Sequence, residues 1–371
     1  MRKNKLLFLI GGYGTGGKER QLTEIIKGLP KEKYELHLFI KNDNSYYSYY
    51  FNSIKKNLTS YYNLDKQNFS LLDIFVLKKF VKFISPDVAF SFSTTLSHYS
   101  LLLKLLGGFH FRLINGSIRG APVDLNFQMK FEKLMYNFYD EIVANSKAGL
   151  KAYRQRGKRG RYILYNGFNN YRLPKKSKIE LRHQLGINDI FTVIMVASMG
   201  ESKDQMSFIR SAARVLQNEN DIQFFLIGDG PQKSEYINLV LSLGLNNQIL
   251  FKGEVNNPEE YFVAADLSVL MSTNAEGFPN VVLESLACGT PVIANKEGGT
   301  NEILVDNFNG FLIDKNSYET LAMKILYLKN NHSTLHRLSR NGVKTVEKSF
   351  TTEKMKTTFN RIIAKEYSKM L

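Results

Sequence analysis

Short apolar runs alternate with helix-length amphipathic stretches along the whole of this 371-residue chain. In the first half KLLFLI (5–10), ELHLFI (35–40), DVAFSF (87–92), FRLIN (111–115), EIVAN (141–145) and YILYN (162–166) read as strands. In the second half FTVIMVAS (191–198), IQFFLIGDG (222–230), QILFKG (248–253), DLSVLMS (266–272) and PVIAN (291–295) repeat the pattern. Parallel strands need crossover connections, so this alternation predicts parallel sheets with helices on both faces. About a dozen strands are too many for one compact sheet at this length. The expectation is therefore an α/β protein of two doubly wound domains, 1–168 and 169–351, joined near Asn166-Gly167-Phe168 and the polar NNYRLPKKSK. The closing segment 352–371 is expected to pack back on the first domain.

No apolar run reaches the roughly 18 residues that span a bilayer. The opening MRKNKLLFLIGGYG offers only LLFLI where a signal peptide needs about 7 to 15 apolar residues, so it reads as a first buried strand. With a single cysteine, Cys288, an intramolecular disulfide is excluded; a reducing cytoplasm is the economical compartment and Cys288 a small core residue.

Charge divides unevenly. Residues 1–168 hold 27 Lys and Arg against 12 Asp and Glu, whereas 169–371 hold 23 against 22. A domain that basic attracts polyanions or an anionic membrane face, unless the charge serves solubility alone. Nucleic acid is an unfavoured partner, because the first domain carries no recognisable reading motif and its aromatics follow core spacing. Two segments suit a membrane surface. LSHYSLLLKLLGGF (96–109) is either a buried helix or one that dips into the interface, and RQRGKRGR (154–161) is either a solvated loop or a headgroup contact.

In doubly wound sheets, ligands collect where helix N-termini meet the carboxyl ends of strands. GGYGTGGKE (11–19) follows the first strand. Gly12-x-Gly14-x-x-Gly17 has dinucleotide-fingerprint spacing, with Asp43 as its candidate ribose acid, and Gly12-x4-Gly17-Lys18 has P-loop spacing. Glu19 stands where a P-loop needs Ser or Thr for magnesium, and its carboxylate would repel phosphates. AEGFPNVVLE (275–284) is more specific. Pro279 suits a first helical position, which leaves Gly277 and Phe278 to present amides at a helix N-terminus. Glu284 falls inside the apolar VVLESLA, where its carboxylate needs a partner: two vicinal ribose hydroxyls, or else a cap or pairing within the protein. Another glycine turn, EGGTNE (297–302), follows.

EGFPNVVLESLACGTPVIA, with EGGTNEIL and NGFLI behind it, resembles the donor-binding region of retaining GT-B glycosyltransferases of the group-four family, whose signature is E-x7-E. Glu276 and Glu284 have that spacing, and FLIGDGPQKSEY, LFKGEVNNPEEYFVAADLSVLMS, VASMGESKDQ, IVANS and YNGFNNYRL extend the resemblance over nearly the whole chain. It implies two Rossmann-like domains facing a cleft and transfer of a hexose-type sugar, from a UDP-sugar or similar nucleotide sugar, to a glycan or lipid-diphosphate-linked acceptor with retention. It further implies that Glu284 binds the ribose, Glu276 with the Gly277 and Phe278 amides binds the sugar, and Lys203 neutralises the leaving diphosphate. Asn280 joins the donor site, the Val255 backbone contacts the base, and Gly16 or Gly17 approaches the phosphates. No cofactor and no metal are expected.

The chain departs from the family pattern in two places. Ser198-Met199 stands where an arginine often precedes the lysine, and Asn115-Gly116-Ser117-Ile118-Arg119 replaces a loop that commonly carries a histidine. Arg119 is the candidate charge-stabilising group, unless it is an ordinary surface arginine. His98, Ser117 and Arg20 are candidate acceptor contacts. The competing reading on the same fold is a sugar-nucleotide isomerase or epimerase that needs no acceptor. Polysaccharide assembly in the cytoplasm, peripheral to the membrane, is the expected setting.

Overall fold

A computed structural model describes residues 2–14, 16–41, 49–65, 70, 72–122 and 126–365. Asp43, the candidate ribose acid of the glycine-fingerprint reading, lies outside the described residues. The chain divides into two compact units, Met1–Gly167 with Thr352–Leu371, and Phe168–Thr351.

The first unit contains strands β1 (Asn4–Ile10), β2 (Tyr34–Ile40), β3 (Ser60–Asn63), β4 (Val88–Ser91), β5 (Arg112–Ile118), β6 (Glu141–Ala144) and β7 (Arg161–Ile163). They form one parallel sheet in the order β3-β2-β1-β4-β5-β6-β7. The helices are α1 (Gly17–Gly28), α2 (Tyr49–Ile54), α3 (Asp73–Ile84), α4 (Thr94–Leu106), α5 (Phe127–Met135) and α6 (Lys147–Ala152). Side chains of alternate parity along β1 enter two separate cores, Leu6, Phe8 and Ile10 on one face and Leu7 and Leu9 on the other. A strand covered on both sides must be apolar at every position, and LLFLI is. Helices α3 to α6 cover the Leu7/Leu9 face.

The second unit contains β8 (Phe191–Val196), β9 (Ile222–Ile227), β10 (Ile249–Gly253), β11 (Leu267–Leu270), β12 (Val292–Asn295) and β13 (Gly310–Ile313), all parallel, in the order β10-β9-β8-β11-β12-β13. Its helices are α7 (Lys178–Leu185), α8 (Gln205–Leu216), α9 (Lys233–Ser242), α10 (Pro258–Ala264), α11 (Asn280–Ala287), α12 (Thr300–Ile303), α13 (Tyr318–Asn330) and α14 (His332–Ser349). Helix α7 opens on a capping box in which Ser177 and Glu180 exchange side-chain and backbone bonds, directly after the lysine-rich linker.

The final helix, α15 (Thr352–Ile363), belongs to the first unit. Phe359 lies 6.0 Å from Phe8 and 5.3 Å from Phe90, ring to ring. Arg112 on β5 pairs with Glu141 at 2.5 Å and donates to the last carbonyls of α15, Ile363 O at 2.6 Å among them. The helix is thus held by core burial and by a cation at its carboxyl end.

Two strands, β3 and β13, are absent from the periodic reading, and both are sheet edges. β3 is mostly exposed, so SYYN need not be a continuous apolar run, whereas β13 is largely buried but GFLI offers an apolar run of only three residues. The α/β class with two doubly wound sheets is as the alternating pattern requires.

Candidate active site

In each unit the strand order reverses once, between β1 and β4 and between β8 and β11. At such a switch point the connections leave in opposite directions and open a crevice at the carboxyl ends. The candidate side chains of the second unit converge at its switch.

After β8 the chain runs through Ala197–Met199 to Lys203, and the β9 loop lies against it: Met199 N–H donates to Asp229 O at 2.9 Å and Gln232 N–H to Met199 O at 3.1 Å. Gly228, at φ +136°, touches this stretch so closely that a Cβ would overlap the Ala197 carbonyl. Lys203 then forms a bridge with Ser272 beyond β11, and Asp204 caps α8 by accepting from Ser207 N–H at 2.9 Å. Lys203 Nζ pairs with the Glu276 carboxylate, and Ser272 Oγ donates to the same Glu276 Oε1 at 2.7 Å. Both side chains of the pair keep about a fifth of their surface open, 18% and 22%. Two candidates 73 positions apart are therefore in contact.

The backbone of Glu276 is fixed from behind. Gly299 N–H donates to Glu276 O at 2.9 Å, and Gly298, at φ +57°, presses on the same carbonyl where a Cβ has no room. This is the role of the second glycine turn: a left-handed residue in close approach to the loop carrying the acid. Pro279 is the N-cap of α11, with extended ψ 115°, not its first helical residue. The helix therefore begins one residue later, at Asn280. Phe278 is 3% exposed and its ring packs 5.0 Å from that of Phe350, so it contributes backbone to the crevice while its side chain anchors the loop.

Glu284 is 2% exposed, and its partner is a protein cation. Arg172, in the 3-10 turn Asn170–Arg172, places both terminal nitrogens 3.4 Å from Glu284 Oε1, pairs with the buried Glu259 at the start of α10, and lies 5.5 Å over the Phe168 ring. Of the two partners weighed for Glu284, the structure supplies the pairing within the protein. Arg172 stands far in sequence from both acids, 112 positions from Glu284, so no local pattern marks the pairing. Cys288 ends α11 beside them; burial, Glu259 and Glu284 push its thiol well above the ordinary range. Val255, in the loop after β10, packs on the cluster that also takes Val281 and Cys288.

The remaining candidates belong to the first unit. Gly16 is the N-cap of α1 with no side-chain capping bond, Gly17 opens the helix, and the 6% exposed Glu19 folds back over the Gly16 Cα. Arg20 lies 5.9 Å from the Tyr50 ring. Arg119 is half-buried rather than a free surface arginine: it donates to Gly116 O at 3.2 Å and Asn166 Oδ1 at 3.4 Å and lies 4.7 Å over Phe92. Burial lowers its pKa to about 10, and the Glu19 charge opposes that shift, so Arg119 remains a cation at neutral pH. Ser117 donates through N–H and Oγ to Asn115 Oδ1, at 2.8 and 2.7 Å. His98, one turn into α4, has a buried Nε2 without a hydrogen-bond partner among the described residues and lies edge-on to Phe131. Burial lowers its pKa, which favours the neutral ring.

The 96–109 stretch is half core, half surface: Leu96, Leu101 and Leu103 are buried, while Leu105 and Leu106 are 55% and 83% exposed. In 154–161 most charges face solvent, but Arg161 does not; it donates to Gln155 Oε1 at 3.1 Å and Tyr136 O at 2.8 Å.

Residues 177–345 match the family described as glycosyl transferases group 1. Over 93% of this chain and 95% of the relative, the sequence is 25% identical to the N-acetylgalactosamine-N,N'-diacetylbacillosaminyl-diphospho-undecaprenol 4-alpha-N-acetylgalactosaminyltransferase of Campylobacter jejuni. It is 28% identical to the putative glycosyltransferase EpsD of Bacillus subtilis over 67% of this chain and 65% of that protein. The fold matches that of Anabaena HepE in complex with UDP-glucose, with TM-score 0.82 and 22% identity over 98% of this chain and 99% of the other. Sucrose-phosphate synthase from Thermosynechococcus elongatus matches equally in fold, TM-score 0.82 at 18% identity, over 98% and 100%. The architecture is that of GT-B glycosyltransferases.

Proposed function

We propose, for a chain whose residues 177–345 match the group 1 glycosyl transferases, a retaining glycosyltransferase that moves a hexose-type sugar from a UDP-sugar to a glycan or lipid-linked acceptor in cell-surface polysaccharide assembly. The observation that carries this reading is the contact of Lys203 with Glu276 at the carboxyl ends of β8 and β11. In the absence of donor the two charges neutralise one another. With donor present, the sugar hydroxyls take the Glu276 carboxylate and the Gly277 and Phe278 amides, and Lys203 turns to the diphosphate, whose negative charge grows as the anomeric bond breaks. The acceptor hydroxyl attacks the anomeric carbon from the face the diphosphate leaves, and its proton passes to a diphosphate oxygen. Configuration is retained and no side-chain base is required.

Glu284, held by Arg172, accepts from the ribose hydroxyls; Asn280 and the Val255 backbone complete the donor site. From the first unit, Gly16 and Gly17 offer amides to the phosphates, Arg119 stabilises charge, and His98, Ser117 and Arg20 receive the acceptor. The diphospho-undecaprenol named in the Campylobacter relative supports a lipid-linked acceptor, and the UDP-glucose bound to HepE supports a UDP-sugar. The reaction is proposed to be metal-free, with Lys203 and helix amides in place of a cation, and the enzyme to work peripherally at the cytoplasmic face of a membrane.

Glu276→Ala tests the assignment. Transfer, measured as product, is expected to fall at least about a hundredfold while the calorimetric affinity for UDP changes little. Equal loss of both overturns the role given to Glu276. A panel of nucleotide sugars read by thermal shift identifies the donor, since ligand at about 100 Kd stabilises by about 2.7 kcal/mol.

A further inference from the structure

Helix α5 and the 3-10 turn Tyr136–Phe138 that follows it are apolar on two faces. Inward, Met129, Met135, Tyr136 and Tyr139 join the core over β1 and β4. Outward, Phe127, Phe131, Leu134 and Phe138 stand at i, i+4, i+7 and i+11, 88%, 50%, 60% and 54% exposed. One helical stripe is explained by the core; the second is not. The neighbouring helices α3 and α4 pack on the same core cluster, so their outer faces look the same way, and they add Phe75 and Phe83 from one and Leu105 and Leu106 from the other.

Charge selects the occupant. Helices α3, α4 and α5 carry six lysines, 78, 79, 82, 104, 130 and 133, of which Lys104 pairs with the exposed Asp140. Their only acids, Asp73 and Glu132, are 1% and 8% exposed, buried beneath the face. Beside Leu134 an open groove of 270 Å³ is lined by Lys130, Lys133, Asn137, Gln155 and Lys158, the last donated by the basic 154–161 loop. A second copy of the same face would set lysines against lysines. A surface of phosphates over hydrocarbon suits both the charge and the aromatics.

We infer that the outer face of α3–α5 is a membrane-docking surface, on which the Phe127–Phe138 stripe enters the interface and the Lys130/Lys133/Lys158 groove holds the phosphate of an anionic phospholipid. The assignment stands on exposure and charge and does not depend on the transferase reading. Helix α5, not the 96–109 segment alone, supplies the main apolar contact.

Flotation of the full chain with phosphatidylcholine vesicles, and with vesicles one third phosphatidylglycerol, tests it. The wild-type chain is expected to float at least about tenfold more with the anionic vesicles, and less so as salt rises. The triple variant F127S/F131S/L134S is expected to lose that binding; Phe131 also packs edge-on to His98, so the single variant F127S, at the 88% exposed position, is the control expected to weaken binding with an unchanged melting temperature. K130Q/K133Q/K158Q is expected to remove the preference for phosphatidylglycerol. Equal indifference of the wild type to both vesicles overturns the inference, as does a triple variant that floats like the wild type. So does a concentration-dependent dimer that the triple variant dissolves. Transfer to a water-soluble acceptor is a separate readout: its absence with vesicle binding intact counts against the transferase reading alone.

Discussion

Arg172 is the residue that holds Glu284. One guanidinium serves two carboxylates, Glu259 and Glu284, that are 4% and 2% exposed. Removing it leaves two buried anions without their shared cation, a change that costs about 3 kcal/mol in comparable pairs. Arg172→Met is therefore expected to lower the melting temperature and, on the proposed ribose role of Glu284, to weaken discrimination between UDP and 2′-deoxy-UDP in calorimetry, because Glu284 would no longer be held in place. Arg172→Lys restores the charge but not the two-pronged geometry, so partial rescue is expected. His98 predicts a pH dependence. Its folded pKa lies below the ordinary 6.5, so the unfolded chain takes the proton more readily, and the stabilisation present above pH 6.5 is lost as pH falls through the folded pKa. Burial raises the Glu132 carboxyl and works in the opposite sense, so the histidine is isolated by comparing wild type with His98→Gln. The variant is expected to lose less melting temperature between about pH 7 and about pH 5.

Among the elements, the loops are more exacting than the strands they follow. Gly298→Ala places a Cβ against the Glu276 carbonyl at a positive φ, and both the melting temperature and transfer are expected to fall. Gly186→Ala, at φ +64° but in open space, is the control; it is expected to cost about 1 kcal/mol and leave transfer unchanged. The periodic pattern made the doubly wound sheets legible because strands buried on both faces are largely apolar, as LLFLI of β1 is and as β9 is apart from Gln223. β3 was not legible because it is mostly exposed, and β13 because its apolar run is only three residues long. The E-x7-E spacing brought Glu276 and Glu284 to attention, yet of the partners that hold them only Ser272 is local; Lys203, Arg172 and Gly299 come from other loops that only the fold assembles. The outward stripe of α5 was hidden for a related reason. FQMKFEKLM reads as core spacing on either side, and only the packing tells which stripe the core has used.

At the scale of the molecule, the first unit is discontinuous in sequence: α15 fills the core between Phe8 and Phe90 but follows the whole of the second unit. Phe359→Ala is expected to cost about 3–5 kcal/mol and to unfold the first unit before the second. Limited proteolysis that spares fragments spanning 168–351 would register this order. Fragment 1–167 made alone is expected to expose apolar core and aggregate, and to be rescued by a peptide covering 352–363 added in trans.

The same discontinuity sets an order of events at the ribosome. Chains ordinarily complete their amino-terminal domain first during synthesis. Here the basic unit, although translated first, must wait with Phe8 and Phe90 uncovered until residues 352–363 have cleared the exit tunnel, while the middle of the chain already has every strand it needs. A nascent polypeptide with only residues 1–351 outside the tunnel would thus hold one finished domain and one open client for chaperones.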